Sequence, residues 1–339
     1  LLIGLGALPA GWISDRWSRS MMMVIMFLGM GISSVICGIS TGKTSLFIGL
    51  SFLGLFCSIY HPVGIAWVVN SSKKKGKVLG INGMFGGIGI GLGAFIAGTL
   101  VDYYGWHSAF IIPGIISILL SFIVFILILK NIISYKNIKS IDLEEKHSTN
   151  NLIVIAIILL ISMFGIGLTF QILQTSIPKI LDMRINNIST FQIGFTIAII
   201  YCLTGAMTII GGLLADRYSL KIIYVAGIIA QVPCYFFIAS FSGMSLIVVC
   251  LLAMLFNSSI LPAENILLAK FTPEQHHGLI YGVKFIVAFG AAPLGVYLVA
   301  KSYELTFEFN YLFILVSFVM ALIGLLTLFL PIKSLSNKY

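Results

Sequence analysis

From Ile222 to Ala269 the only charged residue is Glu264. No water-soluble fold has use for so long an apolar stretch, whereas a bilayer core about 30 Å thick takes about 20 helical residues per crossing. One crossing is too short to absorb it, so Ser240-Phe-Ser-Gly-Met-Ser245 reads as a turn between two spans. The same alternation of apolar runs and short polar breaks recurs along the chain. It predicts further spans at about 1–14 (cut short), 21–42, 45–70, 78–101, 108–129, 152–178, 189–215, 278–300 and 309–331. The expected class is an all-α polytopic membrane protein with about eleven spans.

Composition agrees. With 59% hydrophobic and 9% charged residues and a mean hydropathy of +1.09, a soluble globular domain is excluded. The 34 glycines suit helices that pack closely in lipid. Cys37, Cys57, Cys202, Cys234 and Cys250 all fall in apolar runs without a CxxC pair, so they are expected to be packing residues. No metal or other cofactor is expected. The neighbours His276 and His277 read as a solvated loop, since adjacent residues on a helix do not converge on one ion. The net charge of +9 comes from residues scattered over short loops, which points to membrane orientation and away from nucleic acid.

Two stretches repeat: Gly11-Trp-Ile-Ser-Asp15-Arg16-Trp-Ser18-Arg19 and Gly212-Leu-Leu-Ala-Asp216-Arg217-Tyr-Ser219-Leu-Lys221. Their aspartates differ by 201 in number, and the offset persists at Pro62 and Pro262, Gly76 and Gly278, and Gly80 and Gly282. An internal duplication with both copies in the same sense is the simplest cause. Residues 1–130 form the expected first repeat, 131–151 a polar linker, and 152–339 the second repeat. The linker carries Lys136, Lys139, Asp142, Glu144, Glu145 and Lys146, a composition expected of a mobile strap. The offset sets Leu1 against Cys202, inside an apolar run, so the chain is expected to start mid-helix with one helix and part of the next absent.

Alternating through the spans puts fifteen of the 20 basic residues on the face of the two aspartate turns. The positive-inside rule makes that face cytoplasmic and the protein an integral, multi-pass protein of the plasma (inner) membrane. Parallel repeats of about six helices are the plan of transporters whose site lies between the halves.

At the aspartate turns the sequence resembles the major facilitator superfamily, whose signature is Gly, three residues, Asp, a basic residue, any residue, Gly and a basic pair. Gly11, Asp15, Arg16 and Arg19 match in the first copy, and Gly212, Asp216, Arg217 and Lys221 in the second. Ser18, Ser20, Ser219 and Leu220 depart from it. The likeness extends through Lys75-Gly76-Lys-Val-Leu-Gly80-Ile-Asn82-Gly83 and Gly105-Trp106-His107-Ser-Ala-Phe110. It implies two parallel six-helix repeats, alternating access, and gate contacts in which each Asp caps a helix of the other half. A carboxylate so placed gains about 0.3–1 kcal/mol, enough to hold a gate that must also open. Equally, the turn residues only stop and orient helices. Tyr60-His61-Pro62-Val-Gly64 is similar to a stretch in drug-efflux members such as the fosmidomycin-resistance group. Against that, no Pro interrupts the glycines from Gly83 to Gly98, as the antiporter pattern would require.

Three ionisable groups fall inside spans, His61, Glu264 and Lys284. Such groups mark substrate or proton paths by default. Glu264 is expected near mid-membrane, either as a proton carrier or as a structural carboxylate bonded to Asn265, Asn257 or a backbone amide. His61 is a second proton site or bonds a carbonyl. Lys284 reaches back to the headgroups, pairs with Glu264, or holds an anionic solute. Asn82, Gln171 and Gln174 are candidate solute contacts or interhelical hydrogen bonds. The expected function is secondary active, proton-coupled transport of a small organic or amphipathic solute by a monomer. A solute receptor on the same fold would normally carry a soluble domain. A lipid-modifying enzyme would need a clustered nucleophile, base or metal set, and the candidates here are scattered.

Overall fold

The structure, a computed structural model, describes residues 2–133 and 149–331. The charged linker residues from Lys136 to Lys146, and Lys333 and Lys338, lie outside the described residues.

Every regular element among the described residues is helical: α1 (Leu2–Arg16), α2 (Arg19–Gly38), α3 (Lys43–Cys57), a π-turn (Tyr60–Gly64), α4 (Ile65–Ser71), α5 (Lys75–Tyr104), α6 (Ser108–Leu129), α7 (Thr149–Arg184), α8 (Thr190–Arg217), α9 (Leu220–Ile238), α10 (Gly243–Lys270), a 3₁₀ turn (Glu274–His276), α11 (His277–Thr306) and α12 (Asn310–Thr327). Among the described residues ten stretches are long and apolar enough to cross a bilayer, with Lys43–Ser71 counted as one. The 15-residue α1 lies within an eleventh apolar run.

Chain breaks follow local chemistry. Ser18 caps α2, its hydroxyl accepting from the Met21 amide at 3.3 Å. Ser189 and Gln192 form a reciprocal capping box at the start of α8. Gly105 and Gly243 adopt φ of 81° and 60°, where a side chain is strained. The expected turn at Ser240–Ser245 is present, as α9 ends at Ile238 and α10 starts at Gly243. Several helices outrun their apolar windows, because helix hydrogen bonding persists beyond the hydrocarbon. Thus α7 continues through Pro178 to Arg184, with Lys179 and Asp182 paired at 2.9 Å on its surface. The two prolines related by the offset behave differently: Pro62 sits in the π-turn, whereas α10 runs unbroken through Pro262.

The chain forms two compact units. One comprises the described residues of Leu1–Ser71, Leu92–Glu144 and Thr272–Ile286; the other those of Ser72–Gly91, Glu145–Phe271 and Val287–Tyr339. In the first, α2 packs on α6 through main-chain contacts. Ser121 and Ser117 donate to the Val24 and Phe27 carbonyls at 2.9 and 2.8 Å, and Ser34 donates to the Phe110 carbonyl at 2.7 Å. A Cβ added at Gly114 would crowd the Gly31 carbonyl oxygen, so the backbones nearly touch. Ala10, Met22, Met23, Met26, Ile59 and Val63 fill the core beside this pair.

In the second unit α9 and α10 pack closely, a Cβ at Gly227 meeting the Ile260 side chain. Ser317 of α12 donates to the Val232 carbonyl of α9 at 2.9 Å. Among the glycines of α5, Gly76, Gly80, Gly83, Gly87 and Gly91 face α8, against Gly212, Thr208, Gly205 and Cys202, while Gly86, Gly89, Gly93 and Gly98 face open space. Their spacing of three and four residues is one helix face.

Candidate functional site

The motif aspartates are held in the same way twice. Asp15 lies in the last turn of α1, and its Oδ1 and Oδ2 accept from the Gly278 and Leu279 amides at 2.9 and 2.8 Å. These are first-turn donors of α11, which have no partner within their own helix. Asp216, in the last turn of α8, accepts from the Gly76 and Lys77 amides of α5 at 2.7 and 2.8 Å. In each case a carboxylate covers two orphan donors at the positive end of a helix.

The glycines of the motif allow this approach. A Cβ at Gly11 would strike the Gly278 carbonyl oxygen, and one at Gly212 the Gly76 carbonyl oxygen. A Cβ at Gly278 would meet Ser14 Oγ and Asp15 Oδ1, and one at Gly76 would meet Asp216 Oδ1.

The basic residues of the two copies do different work. Arg19 Nη2 lies 3.3 Å from Asp15 Oδ1, with side chains 11% and 5% exposed. Leu220 stands at the matching position of the second copy. Lys221 instead donates to the Leu328 carbonyl at 2.6 Å, just past the end of α12. Arg16 stacks 4.0 Å over the Trp12 ring, and Arg217 is exposed. Ser18, where the family signature has its second glycine, has φ of −100°, a conformation that needs no glycine.

Glu264 is 2% exposed and takes a partner the sequence did not single out. The Tyr224 hydroxyl of α9 donates to Glu264 Oε2 at 3.1 Å, and Ser162 Oγ of α7 lies 2.8 Å from the same hydroxyl. Of its expected partners, Asn257 donates to Gln231 Oε1 at 3.3 Å. Glu264 is six residues from the end of α10 at Lys270, about 9 Å, and so lies nearer one helix end than the middle.

His61 and Lys284 meet at Phe285 in the other unit. The His61 ring stacks on Phe285 with centroids 4.4 Å apart, Tyr60 lies edge-on to His61 at 5.2 Å, and Lys284 Nζ is 5.4 Å from the Phe285 ring. Lys284 is only 5% exposed, which corrects the reading in which it stretches to the surface. Gln171 donates to Thr175 Oγ1 at 3.0 Å and packs its Cγ on Gly295, while Gln174 and Asn82 are half-buried.

His277 corrects the solvated-loop reading. It opens α11 at 4% exposure, with Nε2 3.1 Å from the Thr272 carbonyl oxygen and Nδ1 3.3 Å from Asn70 Oδ1. His276 remains at the surface beside Gln275. Among the described residues no three His, Cys, Asp or Glu side chains are grouped to hold a metal ion.

Ten stretches among the described residues long and apolar enough to cross a bilayer, with an aspartate at one helix end twice holding the first turn of another helix, define a polytopic helical membrane protein. The chain belongs to the Major Facilitator Superfamily, whose sequence profile matches residues 1–185 and 155–338. It is 31% identical over 115 residues to the riboflavin transporter RibZ of Clostridioides difficile, covering 32% of this chain and 25% of that protein. It is 26% identical over 225 residues to an uncharacterised MFS-type transporter of Methanocaldococcus jannaschii, covering 65% and 58%. The match to the 4-hydroxybenzoate transporter PcaK of Pseudomonas aeruginosa is 30% over 125 residues, covering 35% and 28%. These matches therefore span a quarter to just over half of the relatives' lengths.

Among solved structures, the E. coli fucose:proton symporter FucP superposes with a TM-score of 0.77 at 12% identity, over 97% of this chain and 88% of that one. The human organic anion transporter MFSD10 superposes with a TM-score of 0.76 at 15% identity, over 96% and 81%. Family and relatives are transporters, which places the chain outside the enzymes. The likeness of Tyr60–Gly64 to drug-efflux members rests on that stretch alone.

Proposed function

We propose that this chain is a secondary active transporter of a small solute, working by alternating access and driven by protons. The observation that carries the reading is the pair of identical aspartate contacts, Asp15 on Gly278 and Leu279 and Asp216 on Gly76 and Lys77. Each is a charge-assisted pair of hydrogen bonds of a size that closes a gate and still yields within a transport cycle. In this reading residues 1–130 and 152–339 are the moving repeats and 131–151 the strap between them. Gly11, Asp15, Arg16 and Arg19, with Gly212, Asp216, Arg217 and Lys221, form the gating elements. Their face is the cytoplasmic side of the plasma membrane, and the working unit is a monomer.

Glu264 is the proposed proton carrier, because it is an ionisable group 2% exposed within a membrane helix, and such groups mark proton or solute paths by default. His61, Lys284, Asn82, Gln171 and Gln174 are the proposed proton- and solute-path residues. The relatives include carriers named for riboflavin and 4-hydroxybenzoate. Those compounds are the first probes.

The test is uptake of radiolabelled 4-hydroxybenzoate and riboflavin into proteoliposomes, with and without an imposed pH gradient. Gradient-driven uptake that Glu264→Gln abolishes, with unchanged membrane insertion, is the expected result. Wild-type pH-driven uptake in that variant removes Glu264 from the role. Stoichiometric binding of a probe without uptake under any gradient would mark a receptor.

A further inference from the structure

The hydrogen bonds around Glu264 continue past Tyr224. Ser162 Oγ is 2.8 Å from the Tyr224 hydroxyl and 2.9 Å from the Leu159 carbonyl oxygen, which it reaches as a donor. Three helices contribute, α10, α9 and α7, and Tyr224 and Ser162 are fully buried. A carbonyl oxygen only accepts, so it fixes one end of the chain. The carboxyl at the other end both accepts and, once protonated, donates.

We infer that Tyr224 and Ser162 make Glu264 tolerable in both protonation states, through a hydrogen-bond chain that reverses when the carboxyl takes up a proton. With Glu264 ionised, the Tyr224 hydroxyl donates to Oε2 at the observed 3.1 Å. With Glu264 protonated, the new O–H donates to the tyrosine oxygen, the tyrosine hydrogen turns to Ser162 Oγ, and Ser162 donates to Leu159. In that arrangement all three hydroxyl hydrogens have acceptors. The proton gained stays on the carboxyl; tyrosine keeps its own hydrogen and only rotates it. A phenylalanine would take away the hydrogen bond that this hydroxyl makes with the buried carboxyl in either state. Tyr224 is thus a positioning residue, and this inference rests on reading Glu264 as the proton carrier.

Within the same unit, the charged groups on the helices around Glu264 are these. On α8, Gly211 packs on Ser259, so Asp216 and Arg217 lie at about the level of Glu264; Asp216 is held by the Gly76 and Lys77 amides, and Arg217 is exposed. On α9, Lys221 precedes Tyr224 by three residues and bonds Leu328. Lys270 ends α10 itself, and α7 has no ionisable side chain from Thr149 to Thr175. A second rung, Asn257 to Gln231, sits seven residues along each of α10 and α9 and keeps those helices in register.

The test is infrared spectroscopy of the purified chain in lipid nanodiscs across a pH series, which needs no solute. Wild type should show a titrating carboxylic C=O band that Glu264→Gln removes. In Tyr224→Phe that band should rise in frequency, because its O–H has lost the tyrosine oxygen as acceptor, and its midpoint should move. Ser162→Ala should give a smaller rise in frequency. Wild-type frequency and midpoint in folded Tyr224→Phe overturn the inference and leave Glu264 as the carrier. If that variant does not fold, a wild-type spectrum in Ser162→Ala overturns it instead. A titrating band that survives intact in Glu264→Gln overturns the underlying reading.

Discussion

Arg184, the last residue of α7, sets its Nη2 2.5 Å from Glu308 Oε2 in the connection between α11 and α12. The same guanidinium donates to the Ile238 and Phe241 carbonyls at 2.7 and 3.3 Å, where α9 ends, and to Asn310 Oδ1. One side chain thus gathers the ends of three helices. Its planar fork suits several acceptors at once, which a lysine ammonium does not.

Arg184→Met should therefore destabilise the protein by about 1–3 kcal/mol, because it strands the carbonyls at the end of α9. Arg184→Lys should recover only part of the loss. Thermal melting in detergent measures both, and equal stability of Arg184→Met and wild type would show the clasp to be idle.

Acid should loosen the same clasp. Burial alone would raise the Glu308 carboxyl, but the hydrogen bond from Arg184, the Phe309 amide and the Arg184 charge outweigh it and hold it below its ordinary 4.5. A depressed carboxylate contributes stability that is complete above the unfolded value and lost as pH falls through the folded one. Melting temperature should drop below about pH 4.5, and Glu308→Gln should flatten that part of the curve. An unchanged acid limb in the variant would assign the loss to other groups.

The two aspartate contacts should not be equal. Asp15 also faces the 11%-exposed Arg19, whereas Leu220 stands at the corresponding place near Asp216. Asp15→Asn removes the countercharge of a largely buried guanidinium, so it should cost about 1 kcal/mol more than Asp216→Asn. Matched melting curves compare them directly. Equal losses would mean that Arg19 adds nothing to its latch.

Glycines of α5 should sort by face. Gly87→Ala drives a Cβ onto Gly205 Cα and should cost about 1–3 kcal/mol, as overpacking does. Gly86→Ala and Gly93→Ala, which meet nothing within 4 Å, should be neutral or slightly stabilising. Folded yield and melting temperature decide, and comparable losses at Gly86 and Gly87 would contradict the packing described.

The spans were legible because the bilayer imposes a length and a polarity that apolar runs display directly. The break after Ile238 was visible for the same reason, Ser240, Ser242 and Gly243 being a poor continuation of an apolar helix. The aspartate turns were legible through duplication, since a spacing kept twice exposes what one copy hides, and the helix each aspartate caps was implied by the family resemblance. Tyr224 and Ser162 escaped notice because each is an ordinary residue of an apolar run, and only the fold shows that both reach Glu264. A tyrosine destined for burial still needs a partner for its hydroxyl, and that was the available signal. The burial of His277 depends on packing between elements distant in sequence, which periodicity does not encode.

The hydroxyls that tie α2 to α6 all end on main-chain oxygens. The two acceptors on α2, at Val24 and Phe27, exist whatever side chains it carries, and α2 itself need supply only the Ser34 hydroxyl. The bilayer-facing surface of α2 is therefore free to drift to suit lipids of different thickness or fluidity, while its alignment with α6 stays anchored by three serines.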